Sequence, residues 1–267
     1  MKKIAFFALL GTLALGACDK NNNIVLFSVQ NDKDLGAQVA AEIEANPTEY
    51  PILSESEYPE AYQYIRNMTN TILNSGQVQY KDEFAWEVKI INDDEVLNAF
   101  CTPGGYIYVY TGLIKYLDKA DDLAGVMGHE IAHADLRHTS RNLQKQYGVN
   151  VLLSIILGEN SSQLATIAGQ IAGTGAALAF TRDFEREADD NSVVYLAGTN
   201  YACNGAAYFF QKLIDSGQAG GTPQFLSTHP NPDNRVEDIN AKADEEGCDK
   251  TPITPDTYQD FKNMLPQ

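Results

Sequence analysis

The sequence predicts an α+β fold, a mainly helical body with one small antiparallel sheet. Three observations carry this expectation. Apolar residues recur at helical spacing over most of the chain. Strand-like alternation is confined to residues 83–110. Within that stretch, Thr102-Pro103-Gly104-Gly105 turns one short apolar run back on another. A chain of 267 residues has the length for one sizeable core, and residues 31–267 read as a single folded domain.

The N-terminus reads as a targeting segment. Lys2 and Lys3 precede an apolar run from Ile4 to Leu15, the size of a signal-peptide core and short of the about 20 residues that a membrane-spanning helix needs. The run ends in Leu15-Gly16-Ala17-Cys18, which resembles a bacterial lipobox. Residues 1–17 are therefore expected to be a lipoprotein signal peptide, Cys18 the lipidated residue, and 18–30 a polar tether. The competing reading is an ordinary secretory signal followed by a coincidental cysteine. The lipobox implies a lipid-anchored, periplasm-facing protein of the bacterial cell envelope, with the membrane as a partner through that anchor.

Along the rest of the chain, 34–45 (Leu35, Val39, Ile43) and 59–73 (Ala61, Ile65, Met68, Ile72) have helical apolar spacing. Pro59 suits a first helical turn, where its missing N–H is not needed. Residues 83–91 predict a strand with Phe84, Trp86, Val88 and Ile90 on one face. Residues 98–101 and 106–110 predict a hairpin. A short helix is expected over 112–117, then a longer one capped by Asp118 or Asp121 and running through His138. Residues 149–180 carry a single charge, Glu159. A membrane hairpin and two buried helices are both open there. The second is favoured, because 149–157 is half a span and Gly158-Glu159-Asn160 breaks the run. Helices are expected over 182–196, 205–216 and 232–245.

The formal net charge of −17 argues against nucleic acid as a partner, since phosphate binding needs a basic surface. Besides Cys18 there are three cysteines. Cys203 and Cys248 lie near glycines and turn-forming residues, where a disulfide would staple the C-terminal helices. Cys101 sits in an apolar stretch and is expected to stay a free thiol.

The chemistry is concentrated in His129-Glu130-Ile131-Ala132-His133. On a helix, histidines four apart stand one turn above each other and reach one metal ion. Glu130 leaves the helix about 100° from His129, beside the ion, where it can act as a base without being a ligand. The competing reading is a surface helix with exposed histidines. Ile131, Ala132 and Ala134, with Gly125, Val126 and Gly128, suit a tightly packed helix instead. A catalytic zinc takes three protein ligands and keeps one position open, so a third ligand is needed from elsewhere. In 181–189, Glu185 and Asp189 share a face. One can bind the metal while the other accepts the second ring N–H of a ligand histidine. Glu187 points roughly 200° away from Glu185 and is expected to pair with solvent or a basic side chain.

With these residues in view, the chain resembles the gluzincins of the HtpX and CaaX-prenyl-protease type, peptidase family M48, and within them the bacterial periplasmic lipoprotein (BepA/LoiP-like) subgroup. Four stretches carry the resemblance. They are Asn98-Ala99-Phe100 with the following 103–113, the 129–133 motif, the E-x-x-A-D pattern around Glu185 to Asp189, and Thr228-His229-Pro230 with Arg235-Val236. Only a short tail follows Cys248, which departs from repeat-bearing members. The resemblance implies a zincin-like metallopeptidase domain holding one Zn2+ per chain on His129, His133 and Glu185, with Glu130 the general base toward water. It makes Asp189 the carboxylate behind a ligand histidine and places His229 and Arg235 at the cleft. There they would stabilise an oxyanion or, for the histidine, act as an inhibitory fourth ligand. A polypeptide substrate would add as a strand along Asn98, Ala99 and Phe100. The rival expectation is a zinc-binding chaperone on the same fold without turnover.

Overall fold

The computed structural model describes residues 26–174, 176–216, 224–230, 234–252 and 257–267. The expected signal peptide over 1–17, Cys18 and most of the expected tether lie outside the described residues, as does the start of the helix expected over 232–245. Among the described residues, α1 (Val29–Glu44) starts at Ser28, whose hydroxyl accepts from Asn31 N at 3.1 Å, and buries Leu35, Val39 and Ile43. Phe27 is already fully buried, so packing begins ahead of residue 31. Helix α2 (Pro59–Leu73) has its proline in the first turn and buries Ala61, Ile65, Met68 and Ile72.

Strands β1 (Glu87–Ile91), β2 (Ala99–Cys101) and β3 (Tyr106–Tyr110) form one sheet in the order β1-β3-β2. Two expectations need correction here. Trp86 has φ 49, outside extended backbone, so the strand starts at Glu87 rather than residue 83. The sheet is also mixed rather than antiparallel: β2 pairs antiparallel with β3, but β1 pairs parallel with it. The strands alternate in direction along the chain, and β3 takes the centre. Its neighbour β1 is then necessarily parallel. Ile107 and Val109 face one apolar cluster with Val88, Ile90 and α2; Tyr108 and Tyr110 face another with α1.

Helix α3 (Thr111–Tyr116) leads to α4 (Ala120–Asp135). The N-cap residue of α4 is Lys119, and Asp122 in the first turn reaches back, its Oδ2 accepting from Asp118 N and Lys119 N at 3.1 and 3.0 Å. Asp118 and Asp121 do not cap it; Asp121 Oδ1 accepts from Ala202 N at 2.6 Å instead. Nor does the helix run through His138. It stops at Asp135, and Arg137 adopts the left-handed conformation (φ 58, ψ 32), held by Asp32 and the Phe27 carbonyl. A new helix, α5 (His138–Tyr147), then starts.

The stretch of ambiguous polarity forms α6 (Val149–Ile156) and α7 (Ser161–Ala172), bent by 108° at the break between them. Among the described residues no single helix is long and apolar enough to cross a membrane. Both pack one face on α1, burying Leu152, Ile155, Ile167, Ala168 and Ile171. Helices α8 (Arg182–Ala197), α9 (Gly205–Asp215), α10 (Gln224–Thr228), α11 (Arg235–Glu246) and α12 (Tyr258–Asn263) follow. Helix α4 packs against α8 and α9 through glycines: a Cβ on Gly125 would meet Ala206 N at 1.9 Å, and one on Gly205 would meet Asp121 O at 2.1 Å. Cys203 and Cys248 form a disulfide joining the start of α9 to the end of α11, and Cys101 is a buried free thiol.

Candidate metal centre

Helix α4 carries His129, Glu130 and His133 on its face toward α8, α10 and α11, and all three are buried. Thr181 caps α8 by accepting from Phe184 N at 3.2 Å, which sets Glu185 in its first turn. His229 directly follows α10 and Arg235 opens α11. Nε2 of His129 and Nε2 of His133 are 2.9 Å apart. Glu185 Oε1 lies 3.4 Å from His133 Nε2, and Oε2 lies 3.6 Å from His129 Nε2. His229 Nδ1 lies 3.2 Å from both His129 Nε2 and Glu185 Oε1.

These spacings fit a zinc site. Four ligands at about 2.0–2.1 Å in a tetrahedron stand roughly 3.4 Å apart. One atom from each of His129, His133, Glu185 and His229 lies within 4.8 Å of every other. The donor set is also in the right form, because in the chain alone burial pulls the imidazoles of His129 and His133 well below their ordinary pKa, leaving them neutral. Burial alone would raise Glu185, but in the metal-free chain the charge of His229 and close pairing with His133 and His229 outweigh it and hold the carboxyl well below the usual range. His129, His133 and Glu185 would hold the ion, and His229 is placed to join them.

Around that point the other groups are ordered by charge. His129 Nδ1 is 2.8 Å from Asp189 Oδ1. Arg235 donates from Nε to Asp189 Oδ2 and from Nη2 to Oδ1, both at 2.7 Å, while Nη2 lies 3.0 Å from Glu185 Oε2. The guanidinium also stacks over Phe210 at 3.7 Å. Glu130 Oε1 is 3.4 Å from His229 Nε2, and neither atom has a hydrogen-bond partner. Burial pushes the Glu130 carboxyl up to about 7, a value suited to taking and returning a proton near neutrality.

Residues 59–243 match the family described as Peptidase family M48. The chain belongs to peptidase family M48. This M48 chain is 32% identical over 194 residues to the beta-barrel assembly-enhancing protease of Yersinia pestis, covering 68% of the chain and 39% of that relative. The protein of the same name from Escherichia coli (strain K12) is 32% identical over 182 residues, covering 64% and 36%. The mitochondrial metalloendopeptidase OMA1 of Arabidopsis thaliana is 32% identical over 148 residues, covering 55% and 29%. The chain thus spans well under half the length of these curated relatives.

In the M48 chain β2 is an edge strand; at its end Thr139 Oγ1 donates to Cys101 O at 3.4 Å, and the residues just ahead of it are met by other parts of the same chain. Asn98 Nδ2 donates to Ala172 O at 3.3 Å, and Phe225 N donates to Leu97 O at 3.1 Å. Asn98, Ala99 and Phe100 are buried. The site also includes residues that sequence reasoning missed. Phe180 stacks on His133 at 3.9 Å and Phe225 on His229 at 4.2 Å, closing the apolar wall. His138 lies beside His133, and Glu187, expected to pair with solvent or a basic side chain, does pair with basic ones, His138 at 3.1 Å and Arg141 at 3.6 Å. The signal for His138 was its place five residues after His133, masked by the expectation that α4 continues past it.

Proposed function

We propose that this M48 chain is a zinc-dependent endopeptidase in which His129, His133 and Glu185 hold the metal and Glu130 is the general base. The observation that supports it most is the convergence of those three ligands with a fully buried carboxylate beside them whose pKa is pushed to about 7. Zinc, when bound, supplies a Lewis acid that polarises the scissile carbonyl and acidifies water. Glu130 accepts the proton of the attacking water and returns it to the leaving amine. Asp189, clamped by Arg235, orients His129 through its Nδ1–H.

The substrate is a polypeptide that pairs with β2 along Asn98, Ala99 and Phe100. Those residues are buried in the state described here, and His229 stands among the metal ligands. We read this state as latent, with His229 as the fourth ligand and with the segments around Ala172 and Phe225 moving aside when substrate binds. Residues 1–17 as signal peptide, Cys18 as lipid anchor and a periplasm-facing location in the bacterial envelope are part of the same proposal, supported by the N-terminal residues alone.

The test is metal content and casein cleavage on purified protein, with and without chelator. About one zinc per chain and chelator-sensitive cleavage are expected. Glu130→Gln should keep the zinc and lose cleavage; equal cleavage by both proteins would discard the mechanism. His229→Ala should keep zinc and cleave faster. Slower cleavage would assign His229 to the catalytic step instead.

A further inference from the structure

Two ligand histidines stand side by side on α4, but their outer nitrogens meet different partners. His129 Nδ1 faces a carboxylate, Asp189. His133 Nδ1 faces another imidazole: it lies 2.9 Å from Nδ1 of His138. The far nitrogen of that second ring, His138 Nε2, is 3.1 Å from Glu187 Oε2. Arg141 Nη1 lies 3.6 Å from the same oxygen. His138 is fully buried and its ring stacks on Phe184 at 4.4 Å, nearly parallel, so its orientation is held on both edge and face.

Proton counting along this row leaves one arrangement for neutral rings. The Glu187 carboxylate accepts, so His138 Nε2 carries the hydrogen and His138 Nδ1 carries a lone pair. That lone pair accepts from His133 Nδ1–H. His133 Nε2 is then left with its lone pair aimed at His129, Glu185 and His229, which is the form that binds a metal. The row exists because α4 ends where it does. The left-handed backbone at Arg137 turns the chain so that His138 comes back beside His133 instead of continuing up the helix. Arg137 is itself tied to Asp32 and to the Phe27 carbonyl at the start of α1.

We propose that His138 and Glu187 are positioning residues for the metal centre, setting the tautomer and orientation of His133 through a two-step hydrogen-bonded row. This rests on His133 being a zinc ligand. Three of the five acidic residues on α8 then serve imidazoles: Glu185 inside the centre, Asp189 behind His129, and Glu187 behind His138.

The experiment is zinc titration of the metal-free protein against a competing chelator, with the absorption bands of the cobalt(II)-substituted protein as a second readout. His138→Phe keeps the ring, its burial and its stacking on Phe184 but removes both nitrogens. It is expected to weaken zinc binding about 10–100-fold and shift the cobalt bands, with thermal unfolding of the metal-free protein near that of wild type. His138→Asn restores an acceptor close to the Nδ1 position and should recover part of the affinity. Glu187→Ala, at a half-buried position, should also weaken zinc binding. It decides the matter if His138→Phe does not fold. Wild-type zinc affinity in folded His138→Phe, or in Glu187→Ala, overturns the proposal. Failure of the wild type itself to bind zinc would instead overturn the reading of the centre.

Discussion

The half of the molecule built on α4, α8 and α11 and the half built on α1, α6 and α7 both have apolar cores, but the first also encloses a dense cluster of buried charged groups. In the first, His129, Glu130, His133, Glu185, Asp189 and Arg235 are each no more than 4% exposed, and direct polar pairing sets where they sit. In the second, Phe27, Leu35, Val39, Leu152, Ile155 and Ile167 pack by apolar burial, while Leu157 remains 72% exposed. Hydrogen bonds between buried charged groups are directional, and removing one partner strands the other. Apolar contact is non-directional and its loss scales with the volume removed. The first half should therefore be intolerant of isosteric changes that the second absorbs.

Glu130→Gln makes the sharpest test, because it changes one atom and almost no volume. Cleavage should fall about 10²–10⁴-fold with zinc content unchanged. Arg235→Met comes next. It leaves Asp189 and Glu185 buried without their cation, and a loss of about 3–5 kcal/mol in urea unfolding is expected. A loss below that of a core truncation would mean the polar half is not the more demanding one. Leu152→Ala in the apolar half should cost about 2–4 kcal/mol and leave zinc affinity at the wild-type value; a change in affinity would show that the halves are coupled. Opening the Cys203–Cys248 disulfide with paired serines releases a 45-residue loop, and should lower stability by about 2–4 kcal/mol. Leu157→Ser on the exposed turn should stay within about 0.5 kcal/mol of wild type. A larger loss would mean that this turn is covered by something in solution.

How much was legible in the sequence differs in the same way. Helix α2 follows directly from Pro59 and four apolar residues at helical spacing, and the β2–β3 hairpin from its Pro-Gly-Gly turn, since both are local patterns. The adjacency of His129 and His133 is likewise a property of helical pitch. The direction of β1 was not legible, because alternation within a strand is the same whichever neighbour it pairs with. The end of α4 was hidden for a related reason. Nothing near Leu136-Arg137-His138 is a helix breaker; the left-handed turn is held by Asp32, 105 residues earlier. The row from His133 through His138 to Glu187 depends on that turn and was lost with it.

By itself the sequence determined which residues share a helix face, which stretch turns back on itself, and that two imidazoles and a carboxylate rise from one helix. Those relations depend only on backbone geometry over a few residues. The tertiary structure decided what surrounds them. Asp189 reaches His129 across 60 residues and His229 reaches it across 100. The burial that pushes Glu130 to about 7 is supplied by several separate segments closing together. Desolvation and pairing belong to the packed chain, so protonation states and the partners of each ligand could emerge only once α8, α10 and α11 had closed over α4.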